Sequence, residues 1–562
     1  MLRLTLVFPS PGSMRRVAYQ GYPGQNRGVM ASMYSCKCCH GPGLMVHGCF
    51  CVETTCNLLL GSSSPILSLV EMAALPAPTP ITEWPDYNTN PAGGDPMTTD
   101  LNAPYDKGDL CWMLVSTVLC WQITPAIGFL YAGMHRRKAA LTMIFQSLFC
   151  ACAAGIQFWV YGYSLYQSHT TGPFIGDLSK AGLHNTLAYP SLANSDIPDI
   201  MYACFGFTFV TATAMILAGA MLERGRLGPS MLFLLCWTTF VYYILAYAEW
   251  NPSGWLYNLG VLDFAGSGPV HIASGFSALA WAVMLGPRVD PHNESHHPRI
   301  PHFKPHSPFL VGLGTIFIWF GWFAFNGAST ANISIRSIYI VCNTNLAACG
   351  GGVAWVLLEY LFTRKFSIIG FCSGIISGLV GITPACGYIP IETSALVGAL
   401  TSCSTFFVVK YKHLLRVDEG LDIFAIHGVG GFVGDILTGF FAAKNIPALD
   451  GVSNTYEGGW WNHNWKQMGY QLAAATTCAT WSFVISVILL FIINKIPGCH
   501  IRATEDDELK GLDYKYFSDA DGDIVVLNGY GATTPGATSL GLPSGGSAAS
   551  HQDIPVEAAK RD

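Results

Sequence analysis

The sequence predicts an all-α protein that crosses a membrane about eleven times. Only 11% of its 562 residues are charged, against about 25% in soluble globular proteins, so charged side chains cannot cover its surface. Hydrophobic residues make up 51% of the chain. From Leu110 onward, apolar stretches of about 20 residues recur, each long enough to cross a bilayer core of about 30 Å. Together these observations predict an integral membrane protein.

The predicted helices follow one another along the chain. The first five spans, each bounded by polar, Gly or Pro residues, are 109–134, 139–167, 198–222, 228–250 and 264–286. The next five are 308–327, 333–362, 366–385, 390–410 and 421–443. The eleventh, 468–494, precedes a polar segment and therefore ends the membrane domain, which we place at 106–496.

The chain outside these spans is predicted to be largely disordered. Residues 1–105 are rich in Gly, Pro, Ser and Cys, and translation starting at Met72 or Met97 would make much of this extension a gene-model artefact. The tail is polar and acidic over 497–525 and Gly/Ser-rich over 526–562. No metal site is expected near His40, because the spacing of the neighbouring cysteines does not follow the paired pattern of zinc sites. These cysteines are Cys36, Cys38, Cys39, Cys49, Cys51 and Cys56.

Basic residues indicate how the chain is oriented. They concentrate in alternate loops, which are cytoplasmic by the positive-inside rule. The residues concerned are Arg136, Arg137, Lys138, Arg224, Arg226, Arg288, Arg299, Lys304, Arg364, Lys365, Lys410, Lys412 and Arg416. With an odd number of crossings, the N-terminus is then extracellular and the C-terminus cytoplasmic. The formal net charge of −6 lies largely in the tail and gives no reason to expect nucleic-acid binding.

A weak internal repeat relates two halves of the membrane domain. The segment from Asp263 to His271, DFAGSGPVH, is echoed five helices later by the segment from Asp422 to His427, DIFAIH. Halves offset by an odd number of helices have opposite orientations, and such inverted repeats place a substrate site near the bilayer midplane. The predicted architecture is therefore two inverted five-helix repeats followed by a C-terminal helix.

Two histidines lie well inside predicted helices. His271 and His427 occupy matching places in the two halves, and an ionisable side chain at membrane depth is costly enough to indicate a function. Paired neutral imidazoles can share a hydrogen bond and relay a proton. The alternatives are simple hydrogen bonding within the bundle and metal binding, which lacks a third ligand nearby in sequence. Nor is metal binding expected in a loop interrupted by Pro and charged residues that holds His292, His296, His297, His302 and His306.

Aromatic residues and one acid mark the predicted extracellular side. Phe205 and Phe209 share a helix face, and Trp250 ends the fourth span at the same level. They form either an interfacial aromatic belt or a cation cage. In a cage, each ring face stabilises a cation by about 0.5 to 2 kcal/mol, and a hydroxyl such as Ser329 accepts a hydrogen bond. Asp263, at the outer end of the fifth span, either caps backbone N–H groups or attracts a cation.

Longer motifs extend this pattern. They are TTDLNAPYDKGDLCWM before the first helix, AGAMLERGRL in the third, DFAGSGPVHIASG in the fifth, WFGWFAFNGAS in the sixth and LDIFAIHGVGG in the tenth. Together they resemble the ammonium transporter family (Amt/Mep/Rh), and its fungal methylammonium permease branch in particular, from about Thr98 to Asp513. One departure is Ala126 in TPAIGFLYAG, where the family usually has Gly; we expect a small packing adjustment there.

The resemblance implies a homotrimer in which each protomer has its own pore. The implied external ammonium site consists of Phe205, Phe209, Trp250 and Ser329. The implied pore consists of the phenyl gate Phe209 and Phe325, the lining residue Trp322 and the twin histidines His271 and His427, with Asp263 as the acid near the recruitment site.

The C-terminal segment also has a counterpart in the family. RATEDDELKGLD, from Arg502 to Asp513, resembles its regulatory region, and Gly511 and Asp513 match the G-x-D core. Later Ser and Thr residues are candidate sites for a kinase, which would act through added charge. Because this chain keeps His271 where some fungal relatives carry Glu, it resembles the high-affinity branch associated with ammonium sensing.

The expected function is ammonium transport across the plasma membrane, with no cofactor and no enzymatic activity. Ammonium or methylammonium is expected to bind as the cation and lose a proton near the gate. Ammonia then passes along the histidines, because a neutral molecule avoids the cost of desolvating a buried charge, while the same histidines relay the proton separately. The alternatives are a sensor whose main output is signalling and a membrane metalloenzyme.

Overall fold

The computed structural model describes residues 79–80, 95–169, 172–221, 223–289 and 303–520. The chain divides into the units Met1–Ala74 and Leu75–Asp562, and the first lies outside the described residues. So do the six N-terminal cysteines, the loop histidines other than His306, and the tail beyond residue 520. The expectations stated for those segments stay predictions.

Helices dominate the described chain. The long ones are α1 (Lys107–Met134), α2 (Arg137–Gln167), α3 (Asp199–Met221), α4 (Leu227–Leu259), α5 (Ser267–Leu285), α6 (Pro308–Thr330), α7 (Ile335–Thr363), α9 (Ile391–Leu415), α10 (Phe424–Phe441) and α11 (Lys466–Lys495). The shorter ones are α8 (Ile368–Ile382), α12 (Glu505–Lys510) and α13 (Leu512–Tyr516). A two-residue parallel pairing joins β1 (Thr79–Pro80) to β2 (Thr99–Asp100).

Every predicted span overlaps one of the helices α1 to α11. Among the described residues, ten helices are long and apolar enough to cross a membrane, and the eleventh predicted span corresponds to the 15-residue helix α8. The largest difference is in α4, which continues to Leu259 after a turn at residues 251–254. The all-α multi-pass architecture is confirmed, whereas the count of eleven crossings stays a prediction.

Helix α8 is short because its chain leaves the helix after Ile382 and passes through a buried non-helical stretch to Ile389. Irregular backbone at membrane depth needs partners for its polar groups. Asn343 Nδ2 donates to the carbonyls of Cys386 and Ile389 at 2.8 and 3.2 Å, and the Arg336 guanidinium donates twice to Gly387 O at 3.2 and 2.9 Å. Side chains of α7 thus replace the hydrogen bonds that a continuing helix would make.

Helices α5 and α10 cross almost in contact. A Cβ placed on Gly275 would lie 2.1 Å from the backbone N of Gly428, so only glycine permits this approach. Both helices begin with a π-helical turn, Ser267–Ile272 and Phe424–Val429, and these turns carry His271 and His427. Wide turns of this kind are frequent at functional sites. The two halves of the chain therefore present their histidines at one crossing point.

The structure corrects the sequence repeat in one detail. The residue that corresponds to Asp263 is Glu419, not Asp422. Glu419 precedes His427 by eight positions, as Asp263 precedes His271, and its carboxylate accepts N–H bonds from Ile423 at 3.0 Å and Phe424 at 3.2 Å at the start of α10. Asp422 instead pairs with Lys412. An ion pair and a helix cap both need an acid, so residue type alone cannot distinguish them.

Candidate functional site

A cavity of about 610 Å³ opens at one end of the helix bundle. Its lining includes all four residues of the predicted external site and the predicted acid: Phe205, Phe209, Trp250, Ser329 and Asp263. We call this cavity the vestibule and this end the vestibule side; the opposite end, where α12 and α13 pack, is the tail side. Helices α3, α4 and α6 and the loop before α5 thus bring together residues that are far apart in sequence.

The aromatic rings at the base of the vestibule contact one another. Phe209 packs edge-on against Phe205, with ring centroids 5.0 Å apart, and against Trp250 at 5.8 Å. Phe209 also stacks on Phe325, with centroids 4.0 Å apart and planes 18° from parallel. Ser329 lies one turn beyond Phe325 and donates its hydroxyl hydrogen to the Phe325 carbonyl at 2.8 Å, so its oxygen lone pairs can accept from a ligand.

Below the stacked pair the ring contacts continue to the two histidines. Trp322 lies 5.5 Å from Phe325 and stacks on His271 at 5.3 Å with planes 16° apart. A hydrogen bond of 3.0 Å from Trp322 Nε1 to Thr383 Oγ1 orients the indole. The predicted pore-lining tryptophan thus lies between the phenyl pair and the histidines.

His271 and His427 are both buried and face each other through their Nδ1 atoms, 3.2 Å apart. Only one proton fits between two such nitrogens, so one ring donates and the other accepts. Within the described residues the Nε2 of His271 has no hydrogen-bond partner. The pair can therefore hold a proton between its rings and exchange another at this nitrogen.

Asp263 caps the start of α5. Its Oδ1 accepts backbone N–H bonds from Gly266 at 2.9 Å and Ser267 at 2.7 Å, and its Oδ2 accepts from Gly268 at 3.0 Å. The first N–H groups of a helix have no partner within the helix. In α5, which carries His271, Asp263 supplies the acceptors for these groups. The carboxyl also lines the vestibule, so the geometry is compatible with both sequence interpretations of this acid.

The predicted regulatory segment packs on the tail side of the same chain. Asp513 accepts hydrogen bonds from Leu141 N, Thr142 N and Thr142 Oγ1 at 2.9, 2.8 and 2.6 Å, at the start of α2. Gly511 has φ +111°, a left-handed conformation that favours glycine, and a Cβ there would lie 2.6 Å from the Lys138 side chain. Gly511 and Asp513 thus dock the tail on α2.

Glu223, between α3 and α4, forms ion pairs with basic side chains on the tail side. Its carboxylate accepts hydrogen bonds from Arg136 Nε and Arg288 Nη1, both at 2.8 Å. Burial alone would raise the pKa of this carboxyl, but the contact with His135 and the charges of the two arginines lower that pKa well below its usual value. Glu223 therefore stays ionised at physiological pH and links the loops on the tail side.

Replacing Asp513 by alanine is expected to release the segment 505–516, because three donors on α2 lose their acceptor. Losing a net stabilisation of about 1.4 kcal/mol would raise amide hydrogen exchange in this segment about tenfold. Mass spectrometry of exchange in the purified protein measures it. The control is Asp506→Ala, which removes an acid paired with Lys510 at the surface and should leave exchange unchanged. Equal exchange in Asp513→Ala and wild type would contradict the docking role.

Two buried acids near the vestibule, Glu249 and Asp435, are not among the residues predicted from the sequence. Glu249 immediately precedes Trp250 and lines the vestibule, and Asp435 lies on α10, eight residues after His427. The signal that could have found them is the one that identified the histidines, an ionisable side chain inside an apolar span. Glu249 lies one residue from the end of its predicted span, where an acid is unremarkable.

A helical bundle with many membrane crossings, whose vestibule leads through stacked rings to a buried histidine pair, defines a membrane transport protein. The family model described as Ammonium Transporter Family matches residues 111–521. The chain therefore belongs to the ammonium transporter family.

Its similarity to fungal members is high. Ammonium transporter 1 of Schizosaccharomyces pombe is 45% identical over 421 residues, which cover 75% of this chain and 83% of that protein. Ammonium transporter MEP2 of Saccharomyces cerevisiae is 43% identical over 425 residues, covering 75% and 84%. The crystal structure of Candida albicans Mep2 aligns with a TM-score of 0.70 and 46% identity, covering 74% of this chain and 90% of that one. These comparisons confirm the resemblance to the fungal Mep branch.

Proposed function

We propose that this protein carries ammonium across the plasma membrane into the cell. The observation that carries the proposal is the continuous series of contacts from the vestibule through Phe209 and Phe325 to the facing histidines. Membership of the family and the names of the fungal relatives support the same substrate.

In this proposal the vestibule binds the cation. The rings of Phe205, Phe209 and Trp250 offer their electron-rich faces, each of which stabilises a small cation by about 0.5 to 2 kcal/mol. The Ser329 oxygen accepts a hydrogen bond that ammonium can donate and potassium cannot. Methylammonium keeps this donor and should bind in the same way. The hydroxyl therefore favours ammonium over a metal cation of similar size.

The stacked pair Phe209 and Phe325 then closes the path below the cation site. A charged ion would lose its hydration on passing two apolar rings, whereas neutral ammonia loses far less. Deprotonation at this gate therefore lowers the barrier. Ammonia passes along Trp322 to His271 and His427, and the proton moves separately through the hydrogen-bonded imidazoles, so that the net transport carries charge.

The orientation and assembly complete the proposal. We place the vestibule outside the cell and the tail side in the cytoplasm, as the positive-inside rule predicts. The protomers form a homotrimer, and the tail, docked through Gly511 and Asp513, is the region that a kinase would regulate. The names of the relatives favour transport over the sensor alternative.

The proposal is tested with the purified protein in liposomes, by ammonium-evoked current on a solid-supported membrane. A saturable ammonium current with little potassium current is expected. Trp250→Leu removes one cation-binding ring and should raise KM by about 2- to 30-fold. Trp255→Leu, which removes a tryptophan outside the vestibule lining, is the control and should leave KM unchanged. A wild-type protein without ammonium current under any gradient would refute transport of charge.

A further inference from the structure

Glu249 is a buried acid beside the proposed cation site, and it has no role in the proposed transport mechanism. It is 5% exposed, lies next to Trp250 in sequence and lines the vestibule. Within the described residues no basic side chain pairs with it, and no N–H or O–H group donates to its Oε2. A carboxylate left in this state would be strongly destabilising in a membrane protein interior.

The protein provides a defined place for this carboxyl. Cys478 on α11 donates its thiol hydrogen to Glu249 Oε1 at 3.1 Å. A Cβ on Gly268 would lie 2.2 Å from the same oxygen, so glycine at that position makes the room that Glu249 occupies. The side chain is thus held between α11 and the first turn of α5.

The group opposite Glu249 is another acid. Both carboxyls line the vestibule, and Gly268 lies between them: its N–H donates to Asp263 Oδ2 at 3.0 Å, and a Cβ on it would lie 2.2 Å from Glu249 Oε1. Asp435 adds a third carboxyl to the same region. Asp263 already uses both oxygens to accept the N–H bonds of Gly266, Ser267 and Gly268. Two adjacent carboxyls away from bulk water cannot both ionise cheaply. One proton on the pair removes the repulsion between the two carboxylates. We assign this proton to Glu249, because both oxygens of Asp263 already accept N–H bonds.

We propose that Glu249 is a further substrate-binding residue that holds a proton beside Asp263 when the vestibule is empty and releases it when the substrate cation binds. The inference rests on the proposed function for the identity of that cation. The O–H bond of Glu249 breaks, the proton passes to vestibule water, and the resulting carboxylate balances the charge of the ammonium ion. The site thereby exchanges one proton for one cation.

The consequence is a pH dependence of affinity. Among the described residues, the titratable groups that interact with Glu249 are Asp263 before α5, Asp435 on α10 and Cys478 on α11, and none of them supplies a positive charge. At low pH the proton competes with ammonium, so KM should rise with acidification by up to about tenfold per pH unit. The maximal current depends on the gate and the histidines, so this competition should leave it much less affected.

Infrared difference spectroscopy tests the proton directly. Spectra of the full-length protein in liposomes, with ammonium minus with potassium, should show the loss of a carbonyl band from a protonated carboxylic acid. Glu249→Gln should remove this signal. The control Glu359→Gln changes a partly buried acid on α7 that lies outside the vestibule lining and should keep it. A band that is absent in wild type, or that persists in Glu249→Gln, overturns the proposal.

A second measurement follows KM and maximal current across pH. In wild type KM should rise as the pH falls, and in Glu249→Gln it should be higher and nearly independent of pH. A flat wild-type KM overturns the exchange even if the variant does not fold. If no preparation carries current, the proposed transport fails, whereas the infrared signal still reports whether ammonium displaces a proton from Glu249.

Discussion

Replacing His271 and His427 together by alanine is expected to abolish the ammonium-evoked current. Among the described side chains in contact below the phenyl pair, the two imidazole rings can hold a proton, and their Nδ1 atoms are 3.2 Å apart. Without them, charge would have to cross an apolar stretch with no carrier. A barrier increase of about 3 kcal/mol, the lower end of the cost of an ion at membrane depth, already reduces the current by more than about 100-fold.

The matched control is the double variant His413→Ala with His500→Ala, which removes two exposed histidines and should keep the wild-type current. Ammonia flux, measured in the same liposomes with an internal pH indicator, separates the two parts of the mechanism. Flux that persists while current is lost would support passage of neutral ammonia without the proton relay. An unchanged current in the alanine variant would refute the relay.

Replacing Asp263 by alanine is expected to destabilise the protein and to impair transport together. Three backbone N–H groups at the start of α5 lose their acceptor, and each buried group left without a partner costs about 1 to 3 kcal/mol. Water from the vestibule offsets part of this cost, so we expect a fall in the free energy of unfolding on the order of 3 kcal/mol. Thermal unfolding in detergent, followed by tryptophan fluorescence, measures it against the exposed-site control Asp196→Ala.

Asp263→Asn separates the two interpretations of this acid. The amide keeps one acceptor oxygen but carries no charge. If the acid acts mainly by attracting the cation, this variant should raise KM while unfolding close to the wild-type temperature. If it acts mainly as a cap, stability and maximal current should fall in parallel. Wild-type stability and kinetics in Asp263→Ala would contradict both interpretations.

Much of the fold followed from hydropathy. A membrane helix must satisfy its own backbone hydrogen bonds and cover a length set by the bilayer, so each one leaves a long apolar segment in the sequence. Helix α8 is the instructive case. Its predicted span, 366–385, includes residues that leave the helix, because Asn343 and Arg336 on another helix supply the missing hydrogen bonds. Hydropathy describes only the local sequence, so it does not predict hydrogen bonds from a distant part of the chain.

The candidate site was predictable in part for a similar reason. His271 and His427 stand out because ionisable side chains inside apolar spans are rare. The same rule points to Glu249 and Asp435, but it does not say which acids meet. A role for Glu249 can be inferred only from its position next to Asp263 in the folded protein. The role of Glu419 likewise follows from the structure, in which it caps the N–H groups at the start of α10.

The sequence by itself determined the membrane class, the approximate helices and the family, because these depend on residue type along a local stretch of chain and on motif identity. Only the tertiary structure decided that two histidines 156 positions apart share a hydrogen bond, that Phe209 stacks on Phe325, and that Glu249 and Asp263 lie on either side of Gly268. Those contacts depend on how helices cross, and the crossing of α5 and α10 is set by the close approach of Gly275 and Gly428. The way the helices pack decides which residues remote in sequence come into contact. Hydropathy and motifs describe the chain residue by residue, so they do not report that packing.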